Sequence, residues 1–168
     1  TVNPPLNPLF SQLGPYCLNE VISDNLNNIS DNSISGTWSP ATISTSTIGT
    51  TTYTFTPLAG DCAVQETVNI TVNDLPSVSI NADTIEGCAP VLVNLTGGSS
   101  TGTNIWTIEN GDVLNGTSIN TTFLFPGCYD VSLYVEENGC SNTLTLADYI
   151  CIQNDPIAAF TVSPQSFT

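Results

Sequence analysis

The 168-residue chain contains no lysine, no arginine and no histidine, whereas Asp and Glu number fifteen and set a formal charge of −15. Each absence removes a class of function. Proteins bind nucleic acid by displacing counterions with Lys and Arg, and phosphate recognition leans on the same two side chains. Nucleophile–base pairs of the Ser-His or Cys-His kind need an imidazole, and Lys-Asn isopeptide cross-links need a lysine. A paired-carboxylate glycosidase is formally open, but no motif distinguishes one here. The expectation is a non-enzymatic chain with no cofactor and no nucleic-acid partner. Long apolar runs are also missing: nothing approaches the roughly 18 residues of a membrane span, and no basic segment followed by an apolar one opens the chain. Membrane insertion is not expected.

What is present reads as β structure. Apolar residues make up 40 % of the chain, enough for a packed core. The runs are short, rich in Thr, Val, Ile, Tyr and Phe, and separated by Gly, Pro, Asn and Asp. In TTYTFTP, Tyr53 and Phe55 alternate with threonines, and in ETVNITV the alternating set is Val68, Ile70 and Val72. Successive strand side chains point to opposite faces, so each run has one buried and one wet side. The turn LAGDCA between them makes a hairpin. The second half repeats the plan with VLVNLT, WTI, YDVSLYVE and TLTLADYICI around the turn EENGCSN.

About seven strands per unit indicate a β-sandwich. The motif Thr71-Val72-Asn73 before a proline step repeats the opening Thr1-Val2-Asn3, which sets the boundaries. Residues 1–3 end a preceding repeat, 4–74 and 75–154 form two antiparallel sandwiches, and 155–168 (DPIAAFTVSPQSFT) supply the first strand of a following domain or a donor strand. The Ser/Thr-rich stretch SPATISTSTIGTTTYTFTP alternates at its end and reads as a loop and strand edge inside the first sandwich.

Six cysteines without histidine argue for disulfides over zinc. The first unit holds only Cys17 and Cys62, which predicts their pairing. Cys140 lies in an Asn-Gly-Cys turn matching the Gly-Asp-Cys turn of Cys62, and Cys88 matches Cys17, so Cys88–Cys140 follows by analogy. Cys128 and Cys151 flank the Gly139-Cys140 turn symmetrically and face each other across the hairpin. Cys88–Cys128 is the rival pairing, since both open strands at one end of a conventional sandwich. Bridges imply an oxidising compartment, hence an extracellular or cell-surface location. No metal is expected, and calcium is the candidate weighed against that: Asp74, Glu136, Glu137 and Asn138 form the best oxygen cluster, without the regular spacing of an EF-hand loop. Trp38, Trp106 and Tyr134 are the aromatics to weigh as glycan platforms, with the two indoles expected in the core.

The segments GCAPVLVNL, IWTIENGD, FPGCYDVSLYV and NGCSNTL together resemble the PKD-type immunoglobulin-like repeats of Bacteroidota surface proteins. GTWSPATI, TTTYTFTPLAGDCA and ETVNITVN resemble a repeat of giant adhesins from the same bacteria. The usual PKD signature Trp-Asp-Phe-Gly-Asp-Gly reads here Trp106-Thr107-Ile108-Glu109-Asn110-Gly111, which keeps the core anchors and the turn glycine but loses both aspartates. The resemblance implies tandem PKD-like sandwiches exported by type IX secretion, serving an adhesin or gliding-motility protein as a spacer. It implies neighbouring repeats, neighbouring filament subunits joined by strand donation, or surface glycans as partners. Asp83-Thr84-Ile85 resembles the O-glycosylation motif of this group and marks Thr84. The Asn-x-Ser/Thr sequons at Asn28, Asn69, Asn94, Asn115 and Asn120 are what an Asn- and Thr-rich chain generates by chance.

Overall fold

The computed structural model describes residues 4–154, and every regular element in that range is a strand. Among the described residues no helix is long and apolar enough to cross a membrane. Contacts divide the chain into two compact units, residues 4–76 with 136–142, and residues 77–135 with 143–154. The division falls after Pro76 instead of Asp74, and it places a short segment of the second half in the first unit. The readings of residues 1–3 and 155–168 lie outside the described residues.

Unit 1 contains β1 (Tyr16–Cys17), β2 (Gly36–Ser39), β3 (Gly49–Pro57) and β4 (Glu66–Asn73), in the order β1-β4-β3-β2. β3 and β4 form the expected hairpin, with Thr50 opposite Thr71 and Tyr53 opposite Val68. Its alternation puts Tyr53, Phe55, Ile70 and Val72 inside. β2 adds Trp38 directly opposite Phe55, and the Phe10 ring sits 4.6 Å from Trp38 and 4.8 Å from Phe55. Tilted ring pairs at such spacings add to simple area burial. Gly36 is required beside this cluster, because a Cβ there would lie 2.3 Å from the Phe55 ring and 2.5 Å from the Thr56 carbonyl.

Four strands and two isolated bridges replace the seven expected for this unit. The inward face of the sheet is covered by irregular chain, with Phe10, Leu13, Ile22, Leu26, Ile34 and Ile43 packed on it. The reason lies in the Asn- and Ser-rich stretch before β2. Asn32 Oδ1 accepts the Leu9 N–H, Asn27 Oδ1 accepts the Ile29 N–H, and Ser30 Oγ accepts the Ile34 N–H. Such side chains offer the backbone partners that compete with a sheet ladder. The Ser/Thr-rich stretch resolves into a loop over 40–48 followed by β3.

Unit 2 is an immunoglobulin-like two-sheet sandwich. It comprises β5 (Ile80–Ala82), β6 (Glu86–Cys88), β7 (Val91–Gly97), β8 (Thr103–Ile108), β9 (Val113–Asn115), β10 (Ser118–Phe123), β11 (Gly127–Glu137) and β12 (Cys140–Gln153). One sheet runs β10-β7-β5 and the other β6-β12-β11-β8-β9. Val93, Leu95, Ile119 and Phe123 from the first face Trp106, Ile108, Val131, Leu133, Val135, Ile150 and Ile152 from the second in one cluster. Strict period-two burial in β8 and β10 delivers these residues to the interior. Gly97 closes β7 opposite Ile80 of β5, where a Cβ would stand 1.9 Å from the Ser79 carbonyl oxygen.

Candidate functional site

The feature that gathers the chemistry is the β11–β12 hairpin. Asn138 and Gly139 both take the left-handed conformation, φ 53° and 78°, as a two-residue Asn-Gly hairpin turn requires. The tip, residues 136–142, belongs to unit 1. There Asn73 donates to the Asn138 carbonyl at 3.0 Å, and Asn142 donates to the Pro76 carbonyl at 3.0 Å. Cys140, buried at the tip, is bridged to Cys17 with a Cα–Cα distance of 5.6 Å. At the other end of the hairpin Cys128 is bridged to Cys151.

Two expected bridges are therefore corrected: Cys17–Cys62 and Cys88–Cys140 do not form, and Cys62 and Cys88 are free and exposed. The register explains both. Cys17 lies opposite Asn73 at the last residue of β4, whereas Cys62 precedes the first residue of that strand. At about 3.3 Å per residue the strand spans roughly 25 Å, and disulfides join Cα atoms within about 7 Å. Cys88 pairs with Gln153 at the end of β12 while Cys140 begins it, thirteen residues away, or roughly 40 Å along an extended strand. The rival Cys88–Cys128 fails as well, because Cys128 is taken by Cys151.

Among the described residues no three His, Cys, Asp or Glu side chains converge on a metal-sized site. Asp74 Oδ1 instead accepts the Leu75 N–H, and the Asn138 carbonyl is occupied by Asn73. Thr84 is half-buried, and its hydroxyl donates to the Glu86 carbonyl at 2.7 Å. Both indoles lie in the core as expected: Trp106 is fully buried with Nε1 donating to the Gly116 carbonyl, and Trp38 is buried with Nε1 donating to the Asn27 carbonyl. Tyr134 is half-buried on β11.

The divergent signature has a local logic. Ile108 joins Trp106 in the core and Gly111 takes φ 99° in the turn. Asn110 Oδ1 accepts the Asp112 N–H, and its Nδ2 donates to Asp112 Oδ2 and to the buried Thr121 hydroxyl, which itself donates to Asp112. Glu109 Oε2 accepts the Asp130 N–H. These polar groups tie the turn to β10 and β11. Sequence reading missed Asn104, which is buried, accepts the Ser99 N–H and donates to the Ser99 and Gly102 carbonyls. An asparagine within a Gly-rich stretch is the only signal it gave. Sequence reading also missed the cavity of about 110 Å³ in unit 1, lined by Phe10, Leu13, Leu26, Trp38 and Val68 with Asp31 among its polar lining.

One titratable group stands out. The Tyr16 phenol is pushed up to about 12, first by burial and then by its 2.8 Å hydrogen bond to Asp24 and the charge of that carboxylate.

No family model matches this chain, and no curated protein sequence matches it. Among solved structures, the crystal structure of the PKD1 domain of Vibrio anguillarum Epp is similar at 21 % identity, covering 48 % of this chain and 99 % of that one, with a TM-score of 0.39.

Proposed function

We propose that this chain is a non-catalytic spacer segment of a large secreted cell-surface adhesin, one that transmits tension between other parts of its parent protein. The observation that supports it is the position of the Cys17–Cys140 bridge, which spans 123 residues of sequence. Tension entering near the first described residues passes through the sulfur–sulfur bond to β12. Nearly all of the first unit and most of the second lie inside the closed loop and carry none of it. An oxidising, extracellular setting suits two such bridges. Export by type IX secretion, a part in gliding motility and neighbouring repeats as partners belong to the same proposal, on the resemblance of the sequence segments alone.

Single-molecule extension of the chain tests the reading. With the bridge intact, residues between 17 and 140 stay out of the extended length. Reduction should release them and add roughly 400 Å of contour, at about 3.3–3.6 Å per residue over the 123-residue separation. Equal contour gains with and without reductant would remove the mechanical role.

A further inference from the structure

We infer that the cavity of unit 1 is a binding site for a small methylated ammonium ion of the kind choline carries. Every residue that lines it belongs to that unit, and the space measures about 110 Å³. An apolar cavity of about 150 Å³ takes a benzene, so this one holds a group of about four or five heavy atoms. A nitrogen with its methyl groups has that size.

The lining selects the chemistry. Phe10 and Trp38 supply two aromatic rings, Leu13, Leu26 and Val68 supply aliphatic surface, and Asp31 supplies a carboxylate. Cations are attracted to aromatic rings within about 6 Å of the centroid, most strongly to Trp. The two centroids lie 4.6 Å apart, so an occupant of so small a space has both rings within reach. Methyl groups in place of N–H donors pack against the aliphatic side chains and ask for no acceptors. A bare metal ion is a poorer fit, because calcium and magnesium need several oxygen ligands and no three acidic, Cys or His side chains converge among the described residues.

Ring and carboxylate are also fixed relative to each other before any ligand arrives. Asp31 donates its backbone N–H to the Leu9 carbonyl at 2.8 Å, and its Oδ2 accepts the Ser11 hydroxyl at 3.2 Å. Both chain neighbours of Phe10 are therefore bonded to Asp31. Trp38 is held by its Nε1 bond to the Asn27 carbonyl at 2.8 Å. A site ordered in advance loses less conformational freedom on binding. No basic side chain exists anywhere in the chain to neutralise Asp31, and the net charge of −15 draws cations while repelling anions. A free ammonium ion is favoured on that ground over a lipid headgroup that carries a phosphate beside its ammonium. The site is independent of the spacer role, which concerns tension along the chain.

The two indoles make the test local, since Trp38 lines the cavity and Trp106 lies in the core of unit 2. The isotope-labelled full 168-residue chain is titrated with choline chloride, with sodium chloride holding the ionic strength constant. The Trp38 Nε1–H resonance should shift and saturate in the millimolar range while that of Trp106 stays in place. The neutral analogue of choline, with a tert-butyl group in place of trimethylammonium, should bind about tenfold more weakly because it lacks the cation. Asp31→Asn keeps an acceptor for Ser11 and, with an unchanged circular dichroism spectrum, should weaken choline binding about tenfold through the lost charge. A Trp38 shift that does not saturate, equal shifts at both indoles, equal affinity for the neutral analogue, or full affinity in Asp31→Asn overturns the inference. Co-sedimentation of the chain with phosphatidylcholine vesicles overturns it in favour of a membrane surface.

Discussion

The Tyr16 hydroxyl sits where a buried ring meets an acidic loop, and its titration reports on that junction. The unfolded phenol ionises near 10.0 and the folded one near 12, so the unfolded chain loses its proton first. The contribution of Tyr16 to stability is whole below pH 10 and falls as the pH rises toward 12. Tyrosinate absorbance should show this residue ionising near the upper value, and Asp24→Asn should lower it part of the way, since burial remains the larger cause. An unchanged midpoint in the variant would remove Asp24 from the explanation. A second residue-scale prediction concerns Gly97. Its absent Cβ leaves room for the Ser79 carbonyl, and a backbone oxygen 1.9 Å away cannot swing aside like a side chain. Gly97→Ala should cost about 3 kcal/mol, at the upper end of ordinary overpacking, measured by chemical denaturation.

At the scale of elements, the two bridges act on different loops and should contribute unequally. Cys128–Cys151 closes a separation of 23 residues and Cys17–Cys140 one of 123. Chain entropy assigns about 3 kcal/mol to the short loop and about 5 kcal/mol to the long one. Double serine variants, Cys128→Ser with Cys151→Ser and Cys17→Ser with Cys140→Ser, should therefore lose stability in that order. The reverse order would show that the entropy of the unfolded chain is not what the bridges control. The strands themselves were legible. TTYTFTP, ETVNITV and YDVSLYVE alternate strictly, and the structure buries Tyr53, Phe55, Ile70, Val131, Leu133 and Val135 as that alternation requires. The cover over the unit 1 sheet was not legible. Leu13, Ile22 and Leu26 are scattered without a period through a largely polar stretch, and periodicity gives no signal for irregular chain.

Across the whole molecule the charge has one sign, fifteen carboxylates without a basic side chain to pair them. Repulsion among them opposes the compact state, and ions screen it over about 10 Å at 0.1 M salt. The melting temperature should rise when salt is added to a low-salt solution. A fall would show that specific interactions outweigh the net charge.

The sequence by itself determined the all-β character, the pattern of inward residues and the single sign of the charge. Those properties depend on residue type and on a period of two, and both are written locally. The symmetry of the β11–β12 hairpin also pairs Cys128 with Cys151, as the structure does, whereas the tertiary structure alone decided that Cys17 meets Cys140. Cys62 and Cys140 occupy similar turns in the sequence, yet only Cys140 reaches Cys17, because β1 pairs with the far end of β4 and the β11–β12 tip arrives at that end. Spacing along the chain ranks pairings by analogy. A disulfide forms by distance in space, and here that distance is short between residues 123 positions apart.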